Sequence, residues 1–312
     1  MIETQQPAAA LSVVAVGAAL LLAATTAEAH GIAGSRIFPA TLTIDDPAVG
    51  DELSLPGFVY QPSGPATEYD FGGEWDKRLT ENFGLAFNSR YRVIRQPADA
   101  GGNLYGWDDP VITAKYHVFT SEAHEAMASI GVQKEFGGVG ATDHGLADGA
   151  GWTQPTLYFG KGMGDLPASL GLLRPFAVTG ELGYQRADER TQTFADGSLA
   201  NNPDFWNIGF SIFYDLSYLR SQVKDYDLPE FANHLIPIVE FSYSTPASAS
   251  HAGATTTGSI APGLLYEGGS YQIGIEALIP ATRASGNQTG FIAQLHFYLD
   301  DLFPTTLGKP LF

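Results

Sequence analysis

Between residues 288 and 299 the chain alternates, with Phe291, Ala293, Leu295, Phe297 and Leu299 on one side and Ile292, Gln294, His296 and Tyr298 on the other. A period of two residues belongs to a strand whose faces meet different surroundings. The period recurs upstream. Tyr69, Phe71 and Trp75 share a face opposite Asp70, Glu74 and Asp76, and after a turn at 80–82, Phe83, Leu85, Phe87, Tyr91 and Val93 oppose Asn88, Arg90 and Arg92. Trp206, Ile208, Phe210, Ile212 and Tyr214 likewise oppose Asn207, Ser211 and Asp215. The pattern predicts strands over 52–60, 67–78, 83–93, 111–119, 125–136, 153–161, 176–185, 206–215, 235–244, 259–267, 271–279 and 288–299, about twelve in all, an even number.

Strands with one apolar and one polar side suit a wall between lipid and an aqueous lumen. Only a closed barrel leaves no unpaired backbone edge in hydrocarbon. The expected fold is therefore all-β: a transmembrane, antiparallel, up-and-down β-barrel in the bacterial outer membrane. Connections alternate between short ones, near Thr80, Ser121 and Gly268, and long ones over 97–109, 137–151, 188–204 and 246–257. Short turns face the periplasm in such barrels, which puts both termini there. The connections over 164–173 and 220–233 are long for that side.

Composition supports this fold and narrows the function. Aromatics make up 12% of the chain and charged residues only 16%, well under the usual quarter for soluble domains. A formal charge of −18, with no basic stripe, excludes nucleic acid as a partner. With no cysteine there is no disulfide framework, thiol nucleophile or thiolate metal site.

Residues 8–27 are apolar and rich in small side chains, and Ala27-Glu28-Ala29 fits an A-x-A cleavage site. The expected organisation is a signal peptide over 1–29, a periplasmic arm or plug over 30–51, the barrel over 52–300 and a C-terminal extension over 301–312. The leader has an acid and no Lys or Arg before its apolar run, so an uncleaved helical anchor is the competing reading.

Projecting the polar faces inward gives an expected lumen lining of Asp70, Glu74, Asp76, Glu135, Glu181, Asp215, Glu240 and Glu276 against Arg90, Arg92 and Lys115, with His117 and His296 between. Acids dominate. Arg90 and Arg92 stand beside the strand carrying Glu74 and Asp76, within cross-strand reach. A barrel of this size lies between eight-stranded ones filled by side chains and wide porins, so both a narrow polar pore and a lumen closed by arginine–carboxylate pairs are consistent with it.

The last strand resembles the C-terminal signal recognised by the outer-membrane assembly machinery, through Gln288, Gly290, Leu295, Phe297 and Leu299. The chain departs from that signal by continuing to Phe312. Over its whole mature length the chain is similar to proteobacterial outer-membrane barrels classed as transporters, including phenol-degradation-associated barrels. That resemblance implies the architecture; no functional residue of the group matches a position here.

Enzyme and metal motifs are weak. His251 with Ser248 or Ser250 lies in a small-residue loop, Asp108, Asp109, Asp143 and His144 only echo the acidic and Asp-x-His pattern of barrel proteases, HEAMA at His124 lacks a second histidine, and GKGMG at Gly160 lacks phosphate-loop spacing. A mature N-terminal His30 offers two nitrogens for copper, without a second histidine assigned to it. Exterior acids Asp99, Asp108, Asp109, Asp143, Asp148, Asp188, Glu189, Asp196 and Asp204 are solvated loop residues able to bridge to lipopolysaccharide through divalent cations. The expectation is a barrel with no catalytic site, metal or cofactor that passes small neutral or cationic solutes. Its partners are outer-membrane lipid, lipopolysaccharide and, during biogenesis, the assembly machinery. The alternative is a non-conducting structural or surface-interaction barrel.

Overall fold

Alternating strands joined by turns as short as 81–82 satisfy their backbone groups by pairing in sequence until the last meets the first. The computed structural model of the chain has this form. Its barrel strands are β1 (Glu52–Ser63), β2 (Ala66–Thr80), β3 (Phe83–Arg95), β4 (Val111–Ser121), β5 (Ala126–Glu135), β6 (Trp152–Gly162), β7 (Phe176–Ala187), β8 (Phe205–Tyr214), β9 (Leu235–Pro246), β10 (Thr257–Glu267), β11 (Tyr271–Pro280) and β12 (Gly290–Tyr298). Each is antiparallel to its sequence neighbours, and β12 closes on β1, with Phe291 opposite Tyr60 and Tyr298 opposite Glu52. A short strand, Leu104–Trp107, extends the sheet beside β3. The structure describes residues 31–142, 146–147, 149–193, 199–247 and 254–312. The leader, His30, Asp143, His144, Asp148, Asp196, Ser248, Ser250 and His251 lie outside them.

The period of two sorts side chains as a barrel wall requires. On β2, Phe71 and Trp75 are 49% and 46% exposed while Asp70 is 5% exposed. Phe87, Ile130, Leu157, Trp206, Ile208, Ile212 and Ile275 also point away from the interior, and Ser129, Thr179, Ser211, Gln272 and Glu276 are buried within it. A one-residue slip would exchange these sets, so lipid on one side and polar groups on the other pin the register of every strand.

One end of the barrel carries the first described residue, Gly31, the C-terminal segment and the connections 81–82, 122–125, 163–175, 215–234 and 268–270. We call it the terminal end and the opposite one the loop end. At the terminal end the segment after β12 folds back on β2. Lys77 Nζ donates to the carbonyls of Leu307 and Lys309, and the Phe312 amide donates to the Leu79 carbonyl at 2.9 Å.

Residues 31–51 do not hang below the barrel. They rise inside it to mid-height and return to the same end, where Asp51 accepts from Lys77 and Arg78 before β1 begins. The apolar core of the molecule is the contact between this arm and the inner wall at the terminal end: Ala33, Phe38 and Leu42 pack with Met127, Ala177, Phe213, Ile236, Ile238 and Leu265. Phe38 meets Phe213 edge-on at 6.3 Å.

Candidate functional site: the lumen

Three groups of side chains divide the interior. The first holds the arm. At its apex the Leu42 amide donates to Glu240 Oε1 at 2.8 Å, and the Thr43 amide, Thr43 hydroxyl and Ile44 amide donate to Glu240 Oε2 at 2.7, 2.5 and 3.1 Å. Glu240 has no exposed surface, and a buried carboxylate persists only where such donors replace water. On the wall, inward glycines leave room for the arm: a methyl group at Gly209 would sit 2.5 Å from Ile44 Cγ2, and one at Gly274 would sit 2.7 Å from Leu42 Cδ1. Gln272 donates to the Ala40 carbonyl, Ser129 to the Pro47 carbonyl, and Lys115 to Asp45 at 2.7 Å. Near the mouth Arg36 is fully buried, donating to Glu125 and to the carbonyls of Arg174 and Pro175, with its guanidinium 3.8 Å from the centre of the Tyr218 ring.

The second group girdles the loop end. Arg92 lies 3.0 Å from Glu68, 3.4 Å from Asp70 and 3.0 Å from Asp108, and it donates to the Leu146 carbonyl. Arg90 lies 2.7 Å from Asp108 and 3.7 Å from Asp70. These are not the partners expected from the sequence. The tight 81–82 turn sets Asp70 opposite Arg92 and Glu74 opposite Asn88, so Glu74 and Asp76 sit lower in the barrel than the arginines, which turn toward the loop end. Asp109 accepts from the amides of Val139 and Gly140, stitching two long loops together. Of the loop acids, Asp188 pairs with Lys134, and Asp204 with Arg190 and Tyr184, so they are engaged within the protein.

The third group surrounds open space. A cavity of about 330 Å³ lies between the arm and the inner faces of β1, β2, β3 and β12. Asp45, Asp46, Glu52, Asp70, Glu74, Asp76 and Glu181 line it with Arg90, Lys115, Gln294 and His296. Burial between arm and wall pushes the Asp46 carboxyl up to about 7 even though Lys115 opposes the shift and Glu52 and Asp45 reinforce it. In the wall, Ser54 Oγ is 2.7 Å from His296 Nδ1.

The expected lining thus divides. Asp70, Arg90 and Arg92 meet at the loop end, and Glu74, Asp76, Lys115, Glu181 and His296 surround the cavity. Glu240 lies under the arm with Glu276, which is 1% exposed. His117 bonds Thr120 and Ser129, and Glu135 ends β5 at the loop end. Asp215 falls off the wall: it caps the short helix after β8, accepting from the Tyr218 amide, because β8 stops at Tyr214. Sequence reasoning missed Glu52, Ser54, Asp45 and Asp46. It also missed the inward Phe213, Ile236, Ile238 and Leu265, whose signal was apolar residues in the polar register at one end of their strands.

The fold is that of an outer-membrane β-barrel, and its closed wall with an apolar outer surface belongs in the bacterial outer membrane. It is similar to an outer membrane channel from Pseudomonas putida F1, with 10% identity and a TM-score of 0.59 over 84% of this chain and 99% of that one. Weaker likenesses reach the KdgM porin (11% identity, TM-score 0.43, 77% of this chain and 98% of that one) and the NanC porin (8%, 0.46, 78% and 97%). No family model and no curated protein matches the chain.

Proposed function

We propose that the protein is an outer-membrane channel whose conducting route runs beside the arm, through the acidic cavity, and takes small cationic and neutral solutes. The observation that carries this is the charge at that cavity, seven carboxylates against Arg90 and Lys115. In a narrow, partly desolvated passage fixed carboxylates lower the energy of a permeating cation and raise that of an anion. In this reading the terminal end faces the periplasm and the loop end the exterior, where loop acids meet lipopolysaccharide through divalent cations. The channel name of the Pseudomonas putida neighbour supports the reading in outline.

The test is the reversal potential of single channels in planar bilayers under a salt gradient. Wild type is expected to reverse on the cation-selective side, and Glu74→Gln with Asp76→Asn to move that potential toward zero. Anion preference removes the proposal. Absence of conductance in folded protein also removes it and leaves the non-conducting reading, which the seated arm favours.

A further inference from the structure

The cavity floor holds a second arrangement that conduction does not require. Ser54 Oγ lies 2.7 Å from His296 Nδ1, and His296 Nε2 lies 3.1 Å from Glu52 Oε2. All three side chains are buried in the wall and all three line the cavity. Ser54 and His296 are 242 positions apart and meet only because β12 closes on β1. Both strands are irregular there, between Ser54 and Gly57 and between Gln294 and His296. Bulges re-aim side chains and are common beside reactive sites.

A serine hydroxyl becomes a nucleophile when a base within hydrogen-bond reach takes its proton and a third group holds that base in the right tautomer. The negative charge of Glu52, 3.1 Å from Nε2, favours the proton on that nitrogen by proximity and not through an aligned hydrogen bond, which leaves the Nδ1 lone pair to the Ser54 hydroxyl. We propose that Ser54, His296 and Glu52 form a hydrolytic site for small cationic esters and thioesters that enter the cavity. Ser54 Oγ bonds to the carbonyl carbon as its proton passes to Nδ1. The carbon–oxygen or carbon–sulfur bond then breaks, and the leaving alcohol or thiol takes that proton. Water attacks the acyl-serine, gives a proton to Nδ1, and releases the acid as Ser54 recovers its hydrogen. Gln294 lines the same cavity, and its carboxamide N–H group is the donor we assign to the developing oxyanion.

Substrate charge follows from the neighbours. Glu74 stands directly across from Ser54, and Asp76 across from Glu52. Two carboxylates beside the nucleophile repel an anionic or electron-rich substrate. They attract one whose ammonium group lies a few atoms from its carbonyl, and that cation also offsets their field on the oxyanion.

Acetylthiocholine is a direct probe, because released thiol is read with a disulfide reagent and the protein has no cysteine to add background. Folded barrel in detergent, verified by heat-modifiable migration on gels, is expected to hydrolyse it with saturation. Ser54→Ala and His296→Asn should lower the rate at least tenfold. S-ethyl thioacetate, which lacks the cation, should react more slowly, and Glu52→Asp should retain more activity than Glu52→Gln. Independently of turnover, Ser54 Oγ should displace fluoride from a fluorophosphonate and keep its phosphonate, found by peptide mass. Hydrolysis undiminished in folded Ser54→Ala, or no adduct on Ser54 in folded wild type, overturns the proposal. Its failure is separate from that of the channel reading, since neither measurement needs conductance.

Discussion

The two ends of the lumen solve the same problem, buried charge, with opposite means. At the loop end Arg90 and Arg92 neutralise Glu68, Asp70 and Asp108 with other side chains. Deeper in, no cation among the described residues neutralises Glu240: backbone amides of residues 42–44 and one hydroxyl take the place of water. The girdle belongs to the wall and is made whenever the barrel is made. The carboxylate under the arm is satisfied only while the arm is in place, so its burial couples the wall to a segment that is not part of it.

The largest expected difference comes from removing the arm. A chain lacking residues 31–50 keeps every barrel strand and the whole arginine girdle, and it should give single channels several-fold more conductive than wild type while still migrating as a folded barrel. Equal conductance would mean that the arm does not occupy the route.

Point substitutions should separate the two ends. Glu240→Ala removes acceptors from four donors, and with hydrogen bonds to charged groups each contributing about 1.5–3 kcal/mol, the arm should lose several kcal/mol of docking. Amides 42–44 should then exchange with deuterium far faster, with little change in the barrel's heat resistance. Replacing Arg90 and Arg92 together by Ala should do the reverse, since stranding buried Asp70 and Asp108 costs on the order of 3 kcal/mol within the wall. Heat resistance should drop while exchange at 42–44 stays as in wild type. The same response from both variants would dissolve the distinction.

The smallest effect concerns pH. The docked arm holds Asp46 with its carboxyl raised to about 7, against roughly 4 for a free aspartate. Between those values the docked form binds a proton that the released form does not, so docking strengthens as pH falls through 7 and weakens as it rises. Protection of amides 42–44, after division by the intrinsic exchange rate at each pH, should therefore fall from pH 5 to pH 7, and Asp46→Asn should flatten that response. The groups facing Asp46, namely Lys115, Glu52 and Asp45, remain in that variant.

What could be foreseen in the residues was what period and punctuation encode. Trp75 against Glu74, Phe87 against Asn88 and Ile212 against Ser211 sort by alternation alone, so the wall followed from one rule. The arginine partners did not, because direct and diagonal cross-strand neighbours differ by two positions and only the turn length chooses between them. The arm was opaque for another reason. Glu240 is met chiefly by backbone donors, which every residue carries, and the glycines that admit Leu42 and Ile44 resemble those that merely relieve a strand. Ser54 and His296 were invisible as a pair because nothing local joins the first strand to the last.

The course of residues 31–51 bears on how the molecule can be assembled. Arg36 and Asp51 both sit at the terminal end, and the apex at 42–46 lies between them. The segment is thus a bight laid into the barrel, not a thread passed through it. No bond of the β12–β1 seam has to open for it to come or go. Closure of the sheet and seating of the bight are topologically independent, and either order of events ends in the same structure.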